Sequence, residues 1–315
     1  MRTLVVGMAY TVVTLPVDGF PVAHAPVRDA RITTSVGGSG FTVARTLAAL
    51  GNEVFLAAPL GEDADAVTVD AAAYGYGVNS AMCPRSLPRS PRAVVLEGPD
   101  GHRQVNRDLG EARSARVELD LGALATADLL LVDGVLPAEA LISGAQAAGV
   151  PVAVGLGAMC APPGLDQLCY LGADVVVMGC GPEVDEEVLL RTWRRRSVAR
   201  LVVVTLGARG AIGLAAGSEE VIRVPARDLG PGRRPAGLGS TYFATLSHYV
   251  FARGCDPRTA MEYAATAAGW TIAHHDSPSE LSEDVVEAAG VPGAGAVGVL
   301  DEPATAPLDV PRQAP

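Results

Sequence analysis

The stretch Ala236-Gly237-Leu238-Gly239-Ser240-Thr241-Tyr242-Phe243 decides how this chain of 315 residues is read. Two glycines, one residue apart, open a run that can continue as a helix. Such a turn aims backbone N–H groups at one spot, and the helix N-terminus adds the positive end of its dipole. Gly237, Leu238 and Gly239 are therefore a candidate anion hole. The next residue, Ser240, has a neutral hydroxyl without useful basicity at pH 7.

Two more glycine turns lie upstream. Gly37-Gly38-Ser39-Gly40-Phe41-Thr42-Val43-Ala44 leads into a helix that ends near Leu50-Gly51. Thr205-Leu206-Gly207-Ala208-Arg209-Gly210-Ala211 follows a strongly apolar run. Around these turns, short β-branched runs alternate with Ala-rich segments. Strands are expected at Thr3–Val6, Val54–Ala57, Leu129–Val132, Pro151–Val154, Asp174–Met178 and Leu201–Thr205. Helices are expected at Thr42–Leu50, Ala64–Tyr76, Ala138–Ala148 and Glu183–Arg195. Continuous apolar strands between helices predict an α/β fold, a mostly parallel sheet covered on both faces. Residues 11–34 and 88–108 break the alternation, with prolines and the turn Gly98-Pro99-Asp100-Gly101. They fit either a small flap over one edge or ordinary surface hairpins. Residues 291–315 are rich in Pro, Ala and Gly and read as an extended tail.

Composition narrows the classes. Hydrophobic residues make up 49% and charged residues 19%, which suits a core-forming chain. Aromatics are 4%, so the core must be built from Ala, Val and Leu. A net charge of -11 argues against a nucleic-acid partner. All 24 basic residues are arginine, which excludes a Schiff-base lysine and a Walker-type loop lysine. Five cysteines without a C-x-x-C pair suggest reduced thiols and a cytoplasmic location, with no zinc site. No apolar run is long enough to span a bilayer.

Together, the three glycine turns, their order and the two flap-like segments resemble the ribokinase-like, PfkB-type carbohydrate and nucleoside kinases. The resemblance covers residues 1–290. It implies a doubly wound α/β domain, ribokinase-like, with a small β lid made of segments 11–34 and 88–108. It implies a sugar or nucleoside under the lid, ATP and Mg2+ as cofactors, and a homodimer through the lid. Carried over, Gly237, Leu238 and Gly239 form the anion hole. Thr205, Gly207 and Gly210 border the nucleotide groove, although a tight turn accounts for Gly207 and Gly210 as readily. Gly37, Gly38 and Gly40 approach the substrate closely.

The departures from the family pattern all point one way. The family's base aspartate falls on Ser240, and losing a positioned base costs about 10²–10⁴-fold in rate. The acid expected just before the glycines falls near Arg233–Pro235. The Asn-x-Asp that grips sugar hydroxyls falls on Tyr10 and Val12. The asparagine after the first glycine pair falls on Thr42, beside Phe41, and a polar position after the fifth strand is Gly155. The Asn-x-x-Glu linked to magnesium falls near Gly179-Cys180-Gly181-Pro182, with Glu183 one place late. A pocket of Tyr10, Val12, Gly37, Gly38, Phe41 and Thr42 suits a more apolar ligand, unless Tyr10 and Phe41 simply fill it. Asp228, the nearest upstream acid, is a candidate substitute base, though a loop carboxylate is usually only solvated.

Other side chains carry less. His248 follows Ser240 by eight residues, roughly 12 Å along a helix, too far for a Ser–His pair. His274-His275 point apart on a helix, and Arg191 and Arg194–Arg196 suit a helix C-terminus. Three functions remain open. One is a degenerate ribokinase-like protein that binds a small molecule or nucleotide without efficient phosphoryl transfer. Another is an active kinase of an atypical alcohol using a substitute base. The third is a repurposed biosynthetic enzyme.

Overall fold

The computed structural model describes residues 1–24, 29–99, 102–158, 165–227, 237–274 and 281–290. Its strands are β1 (Arg2–Val6), β2 (Tyr10–Pro16), β3 (Thr33–Gly37), β4 (Glu53–Ala57), β5 (Val78–Asn79), β6 (Arg92–Glu97) and β7 (Arg103–Asp108). They continue with β8 (Leu129–Asp133), β9 (Val152–Ala158), β10 (Val175–Gly179), β11 (Leu201–Thr205), β12 (Ala211–Ala215) and β13 (Ile222–Val224). The helices are α1 (Ser39–Ala49), α2 (Ala64–Gly75), α3 (Leu121–Ala125), α4 (Glu139–Ala147), α5 (Glu186–Arg196), α6 (Leu238–Phe251), α7 (Pro257–Ala273) and α8 (Glu283–Gly290).

Nine strands form the main sheet in the order β13-β12-β11-β10-β9-β8-β1-β4-β5. The pairs from β5 across to β11 are parallel, and β12 and β13 add an antiparallel edge. The apolar runs explain the parallel part. Every residue of β8 is buried, and so are four of the five in β10 and in β11. Strands sandwiched between helix layers have no solvent face to keep polar. Alternation still sorts their side chains. Val5 packs with Phe41, Leu246 and Met261 on one face, while Leu4 and Val6 pack with Leu141, Leu189 and Trp193 on the other. The edge strands β12 and β13 were not expected, because AIGLA and IRV are short and carry little β-signal.

The helix bounds differ slightly from the pattern reading. Helix α1 begins at Ser39, three residues early, because the glycine turn feeds straight into it. Helix α5 begins late, at Glu186, because the Asp185 carboxylate caps the Glu187 and Val188 N–H groups. Asp63 and Asp256 cap α2 and α7 in the same way.

A second, four-stranded sheet has the order β3-β2-β6-β7. It joins β2 parallel to β6, flanked by the antiparallel partners β3 and β7. It stands beyond the C-terminal end of β1, since only Gly7–Ala9 separates β1 from β2. In the main sheet, the chain runs one way from β1 to β4 and the other way from β8 to β9. The crevice outside the ends of β1 and β8 is thus where strand order reverses, the usual ligand position in open α/β sheets.

Candidate ligand site under the lid

A cavity of about 970 Å³ opens between the small sheet and the starts of α1 and α6. Tyr10, Val12, Gly37, Gly38, Phe41 and Thr42, named from sequence, all line it, together with Gly237 and Ser240. Segments 200 residues apart in sequence therefore share one wall. The lid contributes alternate residues of its strands, Tyr10 and Val12, Val95 and Glu97, Arg103 and Arg107, as a period of two requires.

Two helices begin at this cavity. Gly38 precedes α1 with φ 107°, and Gly237 precedes α6 with φ 93°. Neither helix has a side-chain cap. A side chain at Gly38 would collide with the Met8 carbonyl. At Gly237 a Cβ would stand 3.0 Å from the Thr42 methyl, which marks how closely the two helix starts approach. Their far ends are tied as well, because the Asn52 side chain, just past α1, lies 3.0 Å from His248 Nδ1 in α6. The helices are therefore parallel neighbours, with both positive dipole ends toward the cavity. In α6 the first bond within the helix runs from Thr241 N–H to the Gly237 carbonyl, 2.9 Å. The N–H groups of Leu238, Gly239 and Ser240 precede it and have no carbonyl within the helix to bond.

Phe41 does not fill the cavity. It is 1% exposed and packs edge-on against Tyr76, with ring centroids 5.9 Å apart. Tyr10 is half-buried beside Arg107. Burial raises its phenol above the ordinary value, with Arg107 working against the shift and Asp133 adding to it.

The apolar residues expected in the pocket are present, but charged groups join them. Arg45 from α1 and Arg103 and Arg107 from β7 line the same space. Glu97 is the one acid among the described lining residues, and Arg103 pairs with it at 2.8 Å. Pattern reading missed these groups, although the alternation in Arg103-Gln104-Val105-Asn106-Arg107 put both arginines on one strand face.

Asp133 was missed too. It ends β8, 8% exposed, and accepts hydrogen bonds from the Ser39 hydroxyl and the Met8 N–H. Burial raises its carboxyl above the usual range, and the Ser39, Met8 and Val135 bonds oppose the shift. Asp133 thus pins the turn that opens α1. A polar residue closing the run LLLVD at the C-terminal end of a parallel strand was the available signal.

The remaining candidates lie elsewhere. Thr205 ends β11, four strands from β1 and so about 19 Å away. Its hydroxyl donates to the Met178 carbonyl at 3.3 Å. Gly207 and Gly210 close the turn after it, with the Leu206 N–H bonded to the Gly210 carbonyl at 2.7 Å. Asp228 and Arg233–Pro235 fall outside the described residues. Gly155 has no room for a side chain, because the Phe243 ring lies 2.9 Å from where its Cβ would be. His248 is occupied by Asn52 and by Glu283 at 2.9 Å, which excludes a partnership with Ser240. His274 stacks on Trp270, and His275 lies outside the described residues. Arg191 pairs with Glu187 within α5.

Residues 2–149 match the model of the pfkB family of carbohydrate kinases. A microbiome-derived acarbose kinase, Mak1, superposes with a TM-score of 0.80 at 21% identity, covering 92% of this chain and 98% of that one. The ribokinase of Arabidopsis thaliana, in complex with ribose and ATP, gives 0.77 at 21% identity, covering 92% and 98%. A carbohydrate kinase from Agrobacterium tumefaciens gives 0.73 at 24% identity, covering 92% and 97%. No curated protein sequence matches the chain. The fold is ribokinase-like. The pfkB match covers residues 2–149, and the ribokinase-like fold extends over 92% of the chain.

Proposed function

We propose that the chain holds a small hydroxylated molecule under the lid and a nucleotide phosphate at the start of α6, without efficient phosphoryl transfer. The observation that carries this is Ser240. It faces the cavity beside Gly237, with no carboxylate on the first turn of α6. The acid lining the cavity, Glu97, is held by Arg103 across the lid. Asp133 is buried, and its Oδ2 accepts from both Ser39 and Met8. Phosphoryl transfer relies on positioning and on charge stabilisation. The α6 start supplies the second, while among the described residues the group beside Gly237 at that start is a serine hydroxyl.

ATP fits the α6 start, where free N–H groups and a left-handed glycine favour a phosphate. In this proposal Thr205, Gly207 and Gly210 border the remainder of the nucleotide, and ATP supplies the phosphoryl group when bound. Among the described residues, no three His, Cys, Asp or Glu side chains cluster to hold a metal, so no ligands are assigned to Mg2+. Among the described residues, no helix is long and apolar enough to cross a membrane. A second copy of the chain is the partner we propose for the lid, whose Val94 is 42% exposed, and sedimentation showing only monomer would remove it.

The test is ATP binding with and without magnesium, followed by turnover over a panel of sugars and nucleosides. Binding without turnover is expected. Ser240→Asp should then raise turnover of any bound alcohol by about 10²–10⁴-fold. Ordinary kinase rates in the unaltered chain that vanish in Asp228→Asn would overturn the proposal and install Asp228 as the base.

A further inference from the structure

Resting on that proposed binding role, we infer that the molecule under the lid carries a compact negative group, a carboxylate or a phosphate, beside its hydroxyls. The cavity is a cationic pocket in an anionic chain. The protein has a net charge of -11, yet three arginines and two helix N-termini meet here against Glu97 alone. Arg103 and Glu97 cancel each other. The ion pairs among the described residues include neither Arg45 nor Arg107.

Arg45 is the more telling of the two. Its Nε is shut off from solvent and has no hydrogen-bond partner. Its guanidinium lies 5.9 Å from the centre of the Tyr76 ring, which holds the fork at the wall. Arg107 lines the same cavity from β7, near the Tyr10 phenol. A guanidinium donates and never accepts, and the same holds for helix N–H groups. The Thr, Ser and Tyr hydroxyls of the lining can both donate and accept, and they suit the ligand's own hydroxyls. A neutral polyol would still leave Arg45 and Arg107 without an opposite charge while desolvating them. A carboxylate or phosphate presents acceptors, and it answers both arginines, while the α6 start is left to the nucleotide phosphate.

The experiment is calorimetric titration of the full chain with D-ribose, D-glucose, D-gluconate and D-ribose 5-phosphate. At least one anionic probe should bind about tenfold or more tightly than the neutral sugars, and should weaken as salt is raised. Preference for gluconate identifies a carboxylate, and preference for ribose 5-phosphate a phosphate. Arg107 is exposed, so Arg107→Gln should fold normally, and it should cost the anion roughly 10–100-fold with little change for a neutral sugar. Arg45→Gln should act in the same direction. Equal or tighter binding of a neutral sugar overturns the inference. If that binding is abolished by filling the cavity with Val12→Trp, the proposed binding role survives it. Failure of all four probes at millimolar concentration overturns both.

Discussion

Helices α1 and α6 start alike and are held differently. Each begins on a glycine with positive φ, and each lacks a side-chain cap. At α1 the turn is fastened from below, because Asp133 takes the Ser39 hydroxyl and the Met8 N–H. At α6 the corresponding contact is only the Thr42 methyl against Gly237, and Ser240 opens onto the cavity. Elsewhere Asp63, Asp185 and Asp256 occupy helix starts that serve the fold alone. The α1 start is a scaffold with its carboxylate turned inward. The α6 start has three N–H groups without a carbonyl within the helix, the ones the proposed phosphate would take.

The contrast can be broken at several points. Gly38→Ala should have the largest effect on stability, on the order of 3 kcal/mol, because strain at positive φ adds to the collision with Met8. Urea unfolding measures it, and a loss below 1 kcal/mol would show that the α1 turn is not fixed. Asp133→Ala should cost about 1–3 kcal/mol by orphaning two buried donors, with Asp133→Asn milder. If both variants match the native urea midpoint, Asp133 is no anchor.

A third test concerns the far ends of the helix pair. Burial holds His248 below the usual imidazole value, although Glu283 pulls the other way. The unfolded chain therefore takes up this proton first as pH falls. The stabilising contribution is complete above about pH 6.5 and is lost as pH drops from there to the lower folded value. A pH series of urea midpoints should show this decline, and His248→Gln should flatten it.

The smallest difference lies within the α6 turn. Gly237→Ala should cost about 1 kcal/mol, whereas Gly239→Ala, with open space at its Cβ, should stay within about 0.5 kcal/mol. Equal costs would mean that the two glycines do not differ in role.

Much of this architecture was legible. Runs such as LLLVD and LVVVT can only be strands buried on both faces, and the glycine turns lie where helices must start sharply. The six pocket residues named from sequence do share a cavity. What stayed hidden was set by tertiary placement. Nothing local says that the Arg103–Arg107 face of β7 looks toward Arg45, 58 positions before Arg103, or that Asn52 meets His248 across 196 residues. Substitution at familiar positions was therefore easier to see than replacement of their chemistry by side chains from other elements. The pocket looked apolar because its new polar groups come from strands and helices outside the glycine motifs.

Half of the lid is held on short connections. Its β2 leaves the sheet through three residues, Gly7–Ala9, and its β3 returns through Gly38 directly into α1. A displacement of this half would therefore be carried into the leash that α1 hangs from, and Thr42 is the residue of α1 that meets Gly237.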